Sequence, residues 1–188
     1  MAMLLPDTAG IDSYRRCAPL LLANLCSLAY DFALRTKVQG QNLNWFIVEQ
    51  SVMVVPSCFD AQLPSTFTQA ARAAGLMNGH QANPTIADFV IPQVLALSYT
   101  AHDLAPFARD LGYVDAAGAV LPPITWNDDE RRARLAALDA LFFWLYGLGA
   151  DDAAYVMAQF PIVREQDERA FGRFRTCEDV LDWLRHVV

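Results

Sequence analysis

The sequence predicts a mainly α protein of the α+β class: a helical bundle carrying a small two-stranded β element near residues 37–56. Three observations predict it. With 188 residues, 54% of them hydrophobic and 19% charged, the chain can bury one sizeable core. Apolar residues recur at helical spacing before residue 36 and again after residue 84. Between these regions, β-branched and aromatic residues crowd into 43–55, next to a glycine and closed by Pro56. The same composition excludes disorder, and the 9 glycines and 10 prolines follow no repeat.

Each element has its own signal. Residues 13–35 place apolar side chains at 17, 20, 21, 25, 28, 29 and 32, which is one helical face, with Pro19 in the first turn. Gly40 ends it. Residues 43–48 and 52–56 read as two short strands, or as one strand and an extended edge closed by Pro56. Residues 61–83, with Pro64, Gly75 and Gly79, read as a linker holding one short helix near 65–74. Helices follow at 85–100, kinked at Pro92, and at 102–111, stopped by Gly112. Residues 114–125 form a loop. The strongest helix spans 127–146: Asn127 and Glu130 have capping-box spacing, and Leu135, Leu138, Leu141, Phe142 and Leu145 share a face. Asp151 or Asp152 caps a helix that Pro161 ends. A last helix starts near Thr176 and reaches His186.

Catalytic templates fail one after another. Lys37, the single lysine, follows Arg35-Thr36 and so belongs to no acid-x-Lys nuclease triplet. Leu121-Pro-Pro-Ile124 has the two prolines of an amino-methyltransferase loop. It lacks the Asp or Asn that would hold an amine and the aromatic that would stack a flipped base. No glycine-rich nucleotide loop is present. His80, His102 and His186 have no ligand-spaced partners, and His102-Asp103 fits a helix start better than a catalytic pair. Cys17, Cys26, Cys58 and Cys177 form no CxxC and read as reduced core residues. No catalytic, cofactor or metal site is expected.

Charge and hydropathy narrow the partners. Fourteen basic and 21 acidic residues give −7, which opposes unaided DNA binding. Arg131, Arg132 and Arg134 follow three acids on one helix and read as a solvated face. The longest apolar runs, 17–30 and 135–148, have 14 residues each, short of the ~20 a membrane span needs. The first residues lack the basic start of a signal peptide, so the expected compartment is cytoplasmic. Residues 37–44 differ in kind. They join Lys37 to Gln39, Gln41, Asn42 and Asn44 around Gly40. Amides can read an adenine edge and a lysine can hold a phosphate, although local turn bonds use the same groups.

Here a resemblance enters. Leu21-Leu-Ala-Asn-Leu-Cys-Ser-Leu-Ala-Tyr-Asp-Phe32 and then Arg35-Thr-Lys-Val-Gln-Gly-Gln-Asn-Leu-Asn-Trp-Phe-Ile47 resemble the close of a target-recognition domain. The family is the large adenine-specific DNA methyltransferases of restriction-modification and phage-defence systems. Leu97-Ser-Tyr-Thr-Ala-His-Asp-Leu-Ala-Pro-Phe-Ala-Arg-Asp-Leu-Gly-Tyr113, Phe160-Pro-Ile-Val-Arg164 and Gly172-Arg-Phe-Arg-Thr176 are similar in the same order. The chain departs at Gln39, where the family has Gly, at His102, where it has Trp, at 51–56, and beyond Thr176.

The resemblance implies a non-catalytic C-terminal module whose parent carries the catalytic and S-adenosylmethionine-binding motifs elsewhere. Residues 1–60 would end the recognition domain, and 84–188 would form a helical module, which can also pack as one unit with 1–60. Its partners would be a methyltransferase domain, upstream or in another chain, and double-stranded DNA in the full protein. The DNA-contact candidates are Arg35, Lys37, Gln39, Gln41, Asn42 and Asn44, with Arg173 and Arg175 second. Salt bridges to Asp167 or Glu168 are the competing use for those two. The competing function is a stand-alone helical interaction module, and a third class is an enzyme using His102-Asp103. A basic stripe through Arg35 and Lys37 would favour recognition, and an apolar patch on an acidic surface would favour docking.

Overall fold

The computed structural model describes residues 11–38, 43–79 and 81–187, with side chains from residue 15 onward. Gln39, Gly40, Gln41, Asn42 and His80 lie outside the described residues. Among the described residues there are ten α-helices: α1 Ile11–Leu25, α2 Leu28–Arg35, α3 Trp45–Glu49, α4 Ser65–Ala73, α5 Ile86–Ser98, α6 Ala105–Asp110, α7 Asp128–Leu145, α8 Ala150–Ala158, α9 Pro161–Phe171 and α10 Arg175–Leu184. Among the described residues no helix is long and apolar enough to cross a membrane.

The mainly α expectation holds, but among the described residues of 37–56 the two-stranded β element is absent. Trp45–Glu49 is a short helix entered from Asn44, and Pro56–Asp60 is a 3-10 helix. The only bridges among the described residues are isolated: Gln62 with Thr85 and Val114 with Val120. A strand is stabilised by the strand beside it, and residues 50–55 have none. Their backbone bonds a helix instead, because the Val54 N–H donates to Asn24 Oδ1 on α1 at 3.0 Å.

The first predicted helix is two helices, bent by 63° at residues 26–27. Ser27 supplies the local reason, capping α2 by accepting the Tyr30 N–H at 3.3 Å. The distant reason is Asp139 on α7, whose carboxylate accepts the Leu28 N–H at 2.8 Å. Pro19 is not in a first turn: α1 begins at Ile11, so Pro19 is interior and buried.

The α7 helix is the spine. Asn127 Oδ1 accepts the Glu130 N–H at 3.0 Å, as its spacing predicts. From Ala136 to Phe143 every residue is buried, so the helix is central rather than one-faced, while Leu135 points outward at 46% exposure. Phe142 meets Phe59 at 6.1 Å, and Phe67 meets both Phe89 at 5.0 Å and Trp183 of α10 at 5.3 Å. One core cluster draws on all three sequence regions: residues 61–83 supply Leu63, Phe67, Ala71 and Leu76 to it. A satellite cluster of Leu95, Tyr99 and Ala108 fastens the 114–125 loop, with the Tyr99 hydroxyl donating to the Leu121 carbonyl at 3.0 Å.

Two further expectations need correction. Pro161 does not close a helix; it opens α9 at the first position, where its missing N–H costs nothing. Gly172, at φ 72°, then turns the chain into α10. The cysteines are free but none is fully buried: Cys26 is exposed, Cys17 and Cys58 are partly so, and half-buried Cys177 packs against the core.

Candidate functional site

Arg35 ends α2, Lys37 follows two residues later, and Asn44 stands immediately before α3. Arg35 is exposed, yet its guanidinium is engaged. It forks onto Asp31 (Nε to Oδ1 2.9 Å, Nη2 to Oδ2 2.8 Å) and lies 5.0 Å from the Phe160 ring centroid. The Asp31 hydrogen bonds hold its pKa above the ordinary arginine value, against the smaller effect of burial. Lys37 Nζ donates to the Gln50 carbonyl at 2.5 Å. Asn44 is exposed, and its side chain makes no capping bond to α3, so its amide faces solvent.

Arg173 and Arg175 belong to the α9–α10 junction. Their partners are not Asp167 or Glu168. Arg173 pairs with Glu178 at 3.0 Å, and Arg175 lies 3.6 Å from Asp179 and 3.8 Å from Asp129. Asp167 instead accepts the Thr176 N–H at 2.6 Å at the start of α10, and Glu168 pairs with Arg164 at 2.7 Å. His102 is exposed at the start of a 3-10 turn. Among the described residues no cluster of three or more His, Cys, Asp or Glu could hold a metal ion.

Sequence reasoning missed the dominant surface feature. Leu43 (52%), Trp45 (49%), Phe46 (56%), Val52 (68%) and Val55 (56%) are all exposed within one short segment. Single exposed apolar residues are ordinary, but here five fall within thirteen positions. The face continues into a groove of about 280 Å³ between α1 and 53–56, walled by Leu20, Leu21, Val55 and Phe59.

What holds this face outward is polar. Asn24, 2% exposed, donates to the Tyr146 hydroxyl at 2.8 Å and accepts from Val54. Tyr146 in turn donates to the Val52 carbonyl at 3.2 Å, and the Tyr30 and Ser51 hydroxyls share a hydrogen bond of 2.8 Å. Burial pushes the Tyr146 hydroxyl above the usual phenol range, and the Asn24 bond partly offsets it. The backbone of 51–54 is thus bonded inward while its neighbours' apolar side chains face out. Comparison with family models, characterised proteins and solved structures finds no match.

Proposed function

We propose that the chain is a non-catalytic C-terminal module of an adenine-specific DNA methyltransferase of restriction-modification or phage-defence type, contributing to target recognition or to interdomain packing. The sequence resemblance across 18–176 supplies the family. The observation that carries the role is the exposed apolar face of Leu43, Trp45, Phe46, Val52 and Val55. It lies in the segment that resembles the end of a recognition domain, and its backbone is bonded in place from behind.

Within this reading the module docks first and touches DNA second. Arg35 and Lys37 are neutralised or tied by Asp31 and the Gln50 carbonyl, and the whole chain carries −7. Duplex DNA is therefore a partner of the assembled cytoplasmic enzyme, in which S-adenosylmethionine serves the catalytic part. Asn44 remains free to meet a base edge, and Arg173 and Arg175 would have to leave acidic partners to meet a phosphate.

A stand-alone interaction module is the second reading, favoured by the same apolar face on an acidic chain. Expression of the chain together with the coding region that precedes Met1 separates the two. The methyltransferase reading expects adenine methylation of duplex DNA that is lost when Trp45 and Phe46 are both changed to Ser. No methylation, or methylation indifferent to the double change, rejects it and leaves the interaction module.

A further inference from the structure

A cleft of about 580 Å³ lies between α4, α7 and α10, away from the apolar face. Its floor is small: Ala70 and Ala73 on α4, Ala74 just after it and Ala133 on α7 leave room for a flat group. Trp183 forms one wall, backed by Phe67 at 5.3 Å. Arg132 stands on the α7 side with its guanidinium 4.3 Å from the Phe171 ring centroid. Stacking fixes the plane of the guanidinium.

Arg132 differs from the other cleft cation. Arg175 lies beside Asp129 and Asp179, and Asp182 pairs with Arg185 at 2.9 Å. Arg132 makes no hydrogen bond or ion pair with any described residue, although its charge helps hold the Asp179 carboxyl down against the burial that raises it, and its Nε is buried without an acceptor. A guanidinium that no protein acceptor contacts can take an incoming one. With Nε enclosed, the two terminal Nη groups are its route to one, and their fork matches a carboxylate.

The surrounding acids set the ligand's charge. Asp129, Asp179 and Asp182 line the same cleft, so a dianion or a polyanion meets repulsion. A single negative charge suits the one unpaired guanidinium. We propose that this cleft binds a small aromatic monocarboxylate, its carboxylate on the Arg132 Nη pair and its ring on the alanine floor against Trp183. This site is independent of the methyltransferase reading.

Titration of the whole chain with 3-phenylpropionate, followed by amide NMR shifts, tests it. The expected result is a saturable shift confined to residues near 70–74, 129–133 and 175–186, with a dissociation constant of about millimolar, as a ligand of this size gives. Arg132→Gln should weaken binding about tenfold or more, and Arg132→Lys, which keeps the charge without the fork, should weaken it several-fold. The lysine variant also serves if the glutamine variant fails to fold. The neutral 3-phenylpropanol and inorganic phosphate should each bind more weakly than the carboxylate. Absence of saturation, equal affinity for the alcohol, tighter phosphate binding, or unchanged affinity in the Arg132 variants would overturn the assignment.

Discussion

Asn24 of α1 and Tyr146 at the end of α7 share a hydrogen bond of 2.8 Å across 122 residues of sequence, and the same Asn24 side chain accepts the Val54 N–H. One buried amide thus fixes where the 51–55 segment lies relative to the two helices behind it. Val52 and Val55 of the apolar face flank the anchored Val54.

Removing Asn24 should therefore loosen the face. Asn24→Leu leaves the Val54 N–H and the Tyr146 hydroxyl without their partner, at a cost of about 1–3 kcal/mol for an unmet buried polar group. For a domain of this size that is a melting-temperature loss of roughly 2–4 °C per kcal/mol. Amide exchange at 52–55 should rise more than exchange in α10. A uniform rise would mean that Asn24 acts on global stability alone.

Core truncation gives a contrast. Phe142 is fully buried on α7 against Phe59, so Phe142→Ala should cost about 3–5 kcal/mol. Arg169→Ala removes an exposed pair with Glu165 and should change stability by less than ~1 kcal/mol. Thermal melts of the two variants rank them directly, and similar melts would contradict the central place given to α7.

Asp139 adds a pH dependence. Burial pushes its carboxyl up to about 7, only partly opposed by the Leu28 N–H it accepts. The unfolded value is about 3.9, so between about 4 and 7 the native state binds the proton that the unfolded chain has lost. That contribution is fully present below the unfolded value and is lost as pH rises through the folded one. Asp139→Asn keeps an acceptor for Leu28 without the charge. Its melting temperature, relative to the parent chain, should climb from pH 5 to pH 8, and parallel curves would refute the assignment.

Nucleic-acid contact is expected only in the assembled protein. The isolated chain, at −7, should bind duplex DNA weakly and lose it as salt rises. In the assembled enzyme Lys37→Ala should weaken all sequences alike, because a lysine holds phosphate. Asn44→Ala should change which sequence is preferred. Equal affinities and unchanged preference in gel-shift titrations across salt would remove the 37–44 segment from DNA recognition.

The parts of the fold that the sequence reveals are those settled locally. Asn127 caps α7 by accepting the Glu130 N–H, and apolar spacing marks both α5 and α7. Residues decided by distant partners were not legible. The break before α2 needs Asp139, 111 positions away, and the extended 50–55 segment owes its place to Asn24 rather than to a neighbouring strand. Pro161 can stop one helix or start the next, and only the packing of α9 on α10 distinguishes these. The candidate cations show the same division. Arg35 has its partner four residues back and in plain view, whereas Lys37 is tied to a carbonyl thirteen residues on. Exposure of Trp45 and Phe46 was hidden, because apolar residues in a β-like run are expected to point inward on alternate positions.

The central claim is that the 43–55 face is a docking surface for the methyltransferase part of a larger enzyme. Hydrogen exchange measured on the chain alone and on the same chain joined to the proposed methyltransferase region tests it most directly. The account predicts strong added protection at 43–55 and along the α1 side of the adjoining groove, with little change in the satellite region of α6 and 114–125. Unchanged exchange at 43–55, with protection elsewhere or nowhere, would contradict it.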